Sequence, residues 1–114
     1  MKEVSSLRVR EVAGSLQLEE EALAQRCGLS RSTYYRRRQS KKPLSAMEAD
    51  LLDRHSRILA QAREVFESDE AATHWLKTPQ FGLGGAVPLD AIRTTSGFRE
   101  VEKLLTRIDY GVYA

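Results

Sequence analysis

Cysteine occurs once in this chain of 114 residues, so no internal disulfide can staple it, and Cys27 reads as a core residue in a reducing compartment. Long apolar runs are missing as well. No stretch of 18 apolar residues exists, and the start MKEVSSLRVR lacks the apolar centre of a signal peptide. The reading that follows is a cytoplasmic protein with no membrane partner. Aromatic residues make up 7% of the chain, too few among the basic residues for a platform that stacks single strands. Cys27, His55 and His74 lack metal-ligand spacing, and no Ser/His/Asp set or pair of acids in a plausible cleft is visible. We therefore expect no catalytic residue, no metal and no cofactor, and hence no enzyme.

What is present is the composition of a folded protein, with 41% hydrophobic and 30% charged residues. The length allows one domain of ordinary size or two small helical units. No segment alternates with the period of a strand and no internal repeat appears, so the fold class is all-α. Val9, Val12, Ala13 and Leu16 share one face of a first helix over residues 7 to 16. In LQLEEEALAQRCGLSRSTYYRRRQSKK the acids Glu19, Glu20 and Glu21 suit the positive end of a second helix. Gly28 stops that helix, and Ser30 caps a third over residues 31 to 39. Pro43 breaks the chain, and Ser45 and Glu48 stand at capping-box spacing before a long helix from Ala46 to Phe66. Its predicted stripe is Met47, Leu51, Leu52, Ile58, Leu59, Ala62 and Phe66, with His55 as a half-buried packing residue. A fifth helix runs from Ser68 through EAATHWLK to Pro79, and Ser96 is the expected cap of a last helix that Gly111 closes. Between them TPQFGLGGAVPLD lacks the lysine and hydroxyl of a phosphate loop, so Gly84 and Gly85 read as left-handed turn residues.

Charge is small in sum, at +2, but unevenly placed. Between Arg31 and Lys42 lie six basic residues and no acid, a density that suits phosphates or simply a solvated face. Ala24, Gly28 and the arginine-rich third helix stand in the order of a helix-turn-helix, with Leu29 plugging the turn and Tyr34 pointing inward. The candidate DNA-binding residues are Arg31, Ser32, Thr33, Tyr35 and Arg36 on the exposed face, with Arg38, Lys41 and Lys42 near the backbone. Arg37 departs from the pattern, because three consecutive arginines span about 200° of a helix and one must lie near the protein side. Either its stem runs along the core with its head in water, or the unit is a helical hairpin that no longer reads sequence.

The stretch AATHWLKTPQFGLGGAVPLDAIRTTSGFREVEKLLTRIDYGVYA resembles the C-terminal domain of the Xre/MbcA/ParS family of type II antitoxins. The likeness rests on WL after small residues, the LGG turn, the PL helix start and the G...V...L..I.YG run. The first half is similar, less specifically, to an Xre-like helix-turn-helix. The resemblance implies an N-terminal region, 1 to 67, that dimerises and binds the promoter DNA of its own operon. It also implies a toxin-binding region, 68 to 114, that blocks the active-site cleft of a cognate RES-domain toxin acting on NAD. The implied toxin-binding residues are Trp75, Gly84, Gly85, Tyr110, Gly111, Val112, Tyr113 and Ala114. Tyr110, Val112 and Tyr113 then have two readings: a plug for the toxin's pocket, or a segment folded back on Trp75. A homodimer within a larger toxin-antitoxin complex is expected, since paired helix-turn-helix units read paired half-sites; the long helix is the best candidate for its interface. The alternative is a stand-alone regulator whose second half dimerises or senses a ligand.

Overall fold

The computed structural model describes residues 3–111, and the described residues contain helices and turns but no strand. In chain order the helices are α1 Leu7–Leu16, α2 Glu20–Arg26, α3 Arg31–Ser40, α4 Ala46–Phe66, α5 Asp69–Leu76, α6 Pro88–Ala91 and α7 Thr95–Asp109, with a 3-10 turn at Phe81–Leu83. The all-α expectation holds. The chain divides into two compact units between Asp53 and Arg54, so α4 contributes residues to both.

In the first unit the inner faces of α1 and α2 bury Val9, Val12, Ala13, Leu16, Leu23 and Ala24, and Cys27, Leu29, Tyr34, Leu44 and Leu52 add to the core. Burial raises the Cys27 thiol to about 12, which keeps it protonated and unreactive. Gly28 takes the left-handed conformation (φ 89°). The Leu29 amide then donates to the Ala24 carbonyl at 2.9 Å, which ends α2 and places the apolar Leu29 in the turn. Ser30 accepts from the Thr33 amide at 3.2 Å and opens α3. The Ser45 and Glu48 pair is reciprocal: the Glu48 amide donates to Ser45 Oγ at 3.2 Å, and the Ser45 amide to Glu48 Oε1 at 2.8 Å.

Two expectations for α4 are corrected. Met47 is 75% exposed rather than part of the buried stripe, because the first turn presents Glu48 to Arg37 of α3 instead. His55 is fully buried, not half-buried.

The second unit closes around Ile58, Leu59, Ala62, Ala72, Leu76, Leu89, Ile92, Val101 and Leu105. Ser68 caps α5 by accepting from the Ala71 amide at 3.2 Å. The cap of α7 is Thr94 and not Ser96: Thr94 has extended backbone (φ −109°, ψ 156°), and its hydroxyl accepts from the Gly97 amide at 3.0 Å. Ser96 falls inside the first turn. At its start in this unit, Arg54 reaches from α4 to the Ile92 and Arg93 carbonyls at 3.3 and 3.1 Å and to Thr95 Oγ1 at 3.2 Å. One guanidinium thus satisfies acceptors at the end of α6 and the start of α7 together.

Candidate nucleic-acid and protein interfaces

The basic cluster on α3 proves to be two populations. Arg31, Ser32, Arg36, Lys41 and Lys42 are exposed, and Arg36 also donates to Thr33 Oγ1 at 3.3 Å. Thr33 and Tyr35, expected on the exposed face, are half-buried instead. Thr33 uses its hydroxyl beside the Ser30 cap, and the Tyr35 hydroxyl donates to Glu21 on α2. That bond, followed by the backbone amide of Glu21 itself, lowers the Glu21 carboxyl and in return raises the Tyr35 hydroxyl.

Arg38 and Arg37 are engaged by carboxylates within the unit. Arg38 donates to Glu20 Oε2 at 2.8 Å, and the buried Tyr34 donates to the same oxygen at 2.7 Å. The Arg38 guanidinium also lies over the Tyr34 ring, 5.8 Å from its centroid. Glu20 meets Arg10 of α1 as well, at 3.6 Å. One carboxylate thereby joins α1, α2 and α3, and burial together with its own bond to Glu20 raises the Tyr34 hydroxyl. The Arg37 head is not left in water, as the first of the two readings of its position had it, but is paired with Glu48 at the start of α4.

Burial pushes the Glu48 carboxyl upward, yet the Ser45 amide and Arg37 outweigh it and hold the group below its ordinary 4.5. A carboxyl lowered in the folded state contributes stability that is present above its unfolded value and is lost as pH falls through the folded one. Chemical-denaturation midpoints should therefore drop as pH falls below about 4.5, and the Glu48→Gln variant should show a shallower drop. An identical acid profile would remove Glu48 from the cause.

In the second unit the glycine-rich loop is built as its composition predicts. Gly84 and Gly85 are left-handed (φ 65° and 89°). Gln80 closes the loop through its amide to Ala86 O at 3.0 Å, while its side chain donates to the Trp75 and Thr78 carbonyls, each at 3.0 Å. Trp75 is half-buried against Phe66, with ring centroids 5.5 Å apart, so it supports the unit more than it presents a free face. Tyr110 is 78% exposed and does not fold back as core. Gly111 is left-handed (φ 74°) and donates to Ile108 O at 3.0 Å, closing α7. Val112, Tyr113 and Ala114 lie outside the described residues.

Sequence reasoning missed Phe81, which is 93% exposed. It stands at the start of a 3-10 turn that rests on α7, where a Cβ on Gly82 would lie 2.7 Å from Leu104 Cδ1. A single aromatic in a turn has no periodic partners to mark it as surface or core.

Comparison with known proteins matches both halves. Residues 5–60 match the Antitoxin Xre-like helix-turn-helix domain, and residues 61–111 match the Antitoxin Xre/MbcA/ParS C-terminal toxin-binding domain. Among curated proteins, an Antitoxin Xre of Photorhabdus laumondii subsp. laumondii is 33% identical over 86 residues, 75% of this chain and 58% of the relative. An Antitoxin Xre of Pseudomonas putida is 34% identical over 70 residues, covering 61% of this chain and 44% of the relative. A Prs ADP-ribosylating antitoxin of Sphingobium sp. is 21% identical over 122 residues, covering 99% and 77%. The chain thus spans about half the length of the first two relatives. With the two domain matches adjoining in order across nearly all the described residues, the chain belongs to the Xre/MbcA/ParS-type antitoxins.

Proposed function

We propose that this protein is the antitoxin of a RES-type toxin: its second unit occludes the toxin's active-site cleft, and its first unit binds the promoter of their operon. It works by binding and not by catalysis. The observation that carries the toxin-facing half is the exposure of Phe81 and Tyr110 on a unit whose core is already closed without them. Exposed aromatics of this size suit a concave partner site, where ring faces fill the pocket and a phenol satisfies polar groups. The relative named for ADP-ribosylation of Prs supports a partner that handles ADP-ribose.

The test is an NAD-consumption assay on the product of the neighbouring gene, with the full chain and with a version ending at Asp109. The full chain should bind and silence that protein, and the shortened one should bind without silencing. A neighbour that neither consumes NAD nor binds this chain would favour the stand-alone regulator.

The first unit supports the DNA-facing half through Arg31, Arg36, Lys41 and Lys42, all exposed on or just after α3. Two copies acting as a homodimer would place two such helices in successive half-sites. Each phosphate neutralised contributes about 0.9 to the slope of log affinity against log salt. The double variant Arg36→Ala, Lys42→Ala should accordingly weaken promoter binding and flatten that slope by about 1.8 per copy. Unchanged binding in a gel-shift or anisotropy titration would remove this helix from the interface.

A further inference from the structure

The arginine run of α3 is as notable for what holds it back as for its charge. Three basic groups follow one another at Arg36, Arg37 and Arg38, yet the last two are drawn inward by acids from different helices. Arg37 and Glu48 are 21% and 13% exposed at their side chains, and Arg38 and Glu20 are 23% and 26% exposed. Pairs of this kind are poorly screened by salt, unlike pairs at the open surface. A guanidinium already neutralised in this way displaces no further counterion from DNA unless its carboxylate is given up.

We infer that Glu20 and Glu48 limit the DNA affinity of this protein by neutralising Arg38 and Arg37, so that Arg31, Arg36, Lys41 and Lys42 alone meet phosphates. This rests on the DNA-binding reading above. Glu20 and Glu48 are positioning residues, since they touch no nucleic acid and act through the arginines they hold. The consequence is a helix that displays two fewer effective cations than its sequence lists. Sequence-independent affinity scales with the number of phosphates neutralised, so the two acids hold down attraction to arbitrary DNA.

Glu48→Gln separates charge from structure, because glutamine serves as well as glutamate in a capping box and keeps the bonds to Ser45. The experiment measures binding of the full chain to a random-sequence duplex and to a duplex of its own promoter across a salt series. The unmodified chain should bind with a slope near −3.6 per copy if each of the four exposed cations contributes about 0.9. Glu48→Gln should steepen the slope by about 0.9 and tighten binding to the random duplex several-fold at low salt. Arg37→Gln should leave the slope of the unmodified chain unchanged, and in the Glu48→Gln background it should cancel the gain. Glu20→Gln should steepen the slope in the same way through Arg38.

The inference is overturned if Glu48→Gln and Glu20→Gln leave the slope where it was, or if Arg37→Gln flattens it as much as Arg36→Gln does. The DNA-binding reading fails separately, and this inference with it, if the unmodified chain shows no salt-dependent binding to either duplex. A purely structural role for the acids would lower the melting temperature without steepening the slope, and that result also overturns it.

Discussion

Gly97→Ala should be the most damaging small substitution in the chain, lowering stability by about 3 kcal/mol, the upper end of what overpacking usually costs. A Cβ at this position would lie 1.9 Å from the Ala91 carbonyl oxygen and 2.8 Å from its carbon, with Thr94 Oγ1 at 2.9 Å. The obstacle is backbone, so no side-chain rotation relieves it. α7 must either retreat from the end of α6 or break the Thr94 cap, and a lost cap alone costs about 1 kcal/mol. Two other glycines bracket the prediction. Gly82→Ala would meet only the flexible end of Leu104 and should cost less. Gly14→Ala, exposed in α1 with nothing within 4 Å, should stabilise by about 0.5 to 1 kcal/mol through helix propensity. Thermal melts followed by far-ultraviolet circular dichroism should put the three variants in that order, with Gly97→Ala melting roughly 10 °C or more below the unmodified protein. A melt that Gly97→Ala leaves unchanged would mean that α6 and α7 do not approach so closely.

The same glycine explains where sequence reasoning stopped. Helix boundaries set by local chemistry were legible: Gly28 and Ser30 around the turn, Ser45 with Glu48, Pro88 at the start of α6, Gly111 at the end of α7. Each signal acts within four residues of the bond it makes. The cap of α7 was not legible, because Thr94 and Ser96 are equally good hydroxyls two residues apart. The choice falls to packing: Gly97, three residues after Thr94, is the position that tolerates contact with α6. Periodicity likewise placed Met47 on the inner stripe of α4, and an arginine on another helix drew Glu48 in instead. The basic cluster read as one patch because its neutralising acids sit 11 and 18 residues away in the chain. For Glu48 and the basic cluster the missing information was a side-chain pairing across helices, and for Thr94 it was a close backbone approach, neither of which a local pattern encodes.

Phe81→Ala should have the largest effect on partner binding and almost none on folding. With 93% of the residue in solvent, truncation removes little buried area, and the melting temperature should hold within the scatter expected of a surface change. An aromatic anchor in a partner's pocket commonly costs about 2 kcal/mol or more when truncated, which corresponds to roughly 30-fold in affinity. Most of that loss should appear as faster release, since interface variants differ chiefly in their dissociation rates. The measurement is the dissociation of the full chain from the neighbouring gene's product on a sensor surface, with promoter binding followed in parallel. DNA binding should not change, because α3 belongs to the other unit. Trp75→Ala provides the contrast: it loses the Phe66 contact and should lower the melting temperature whether or not it touches the partner. A Phe81→Ala variant that releases the partner at the unmodified rate would show that the loop faces away from the interface, and would leave Tyr110 as the exposed aromatic on which the occlusion reading depends.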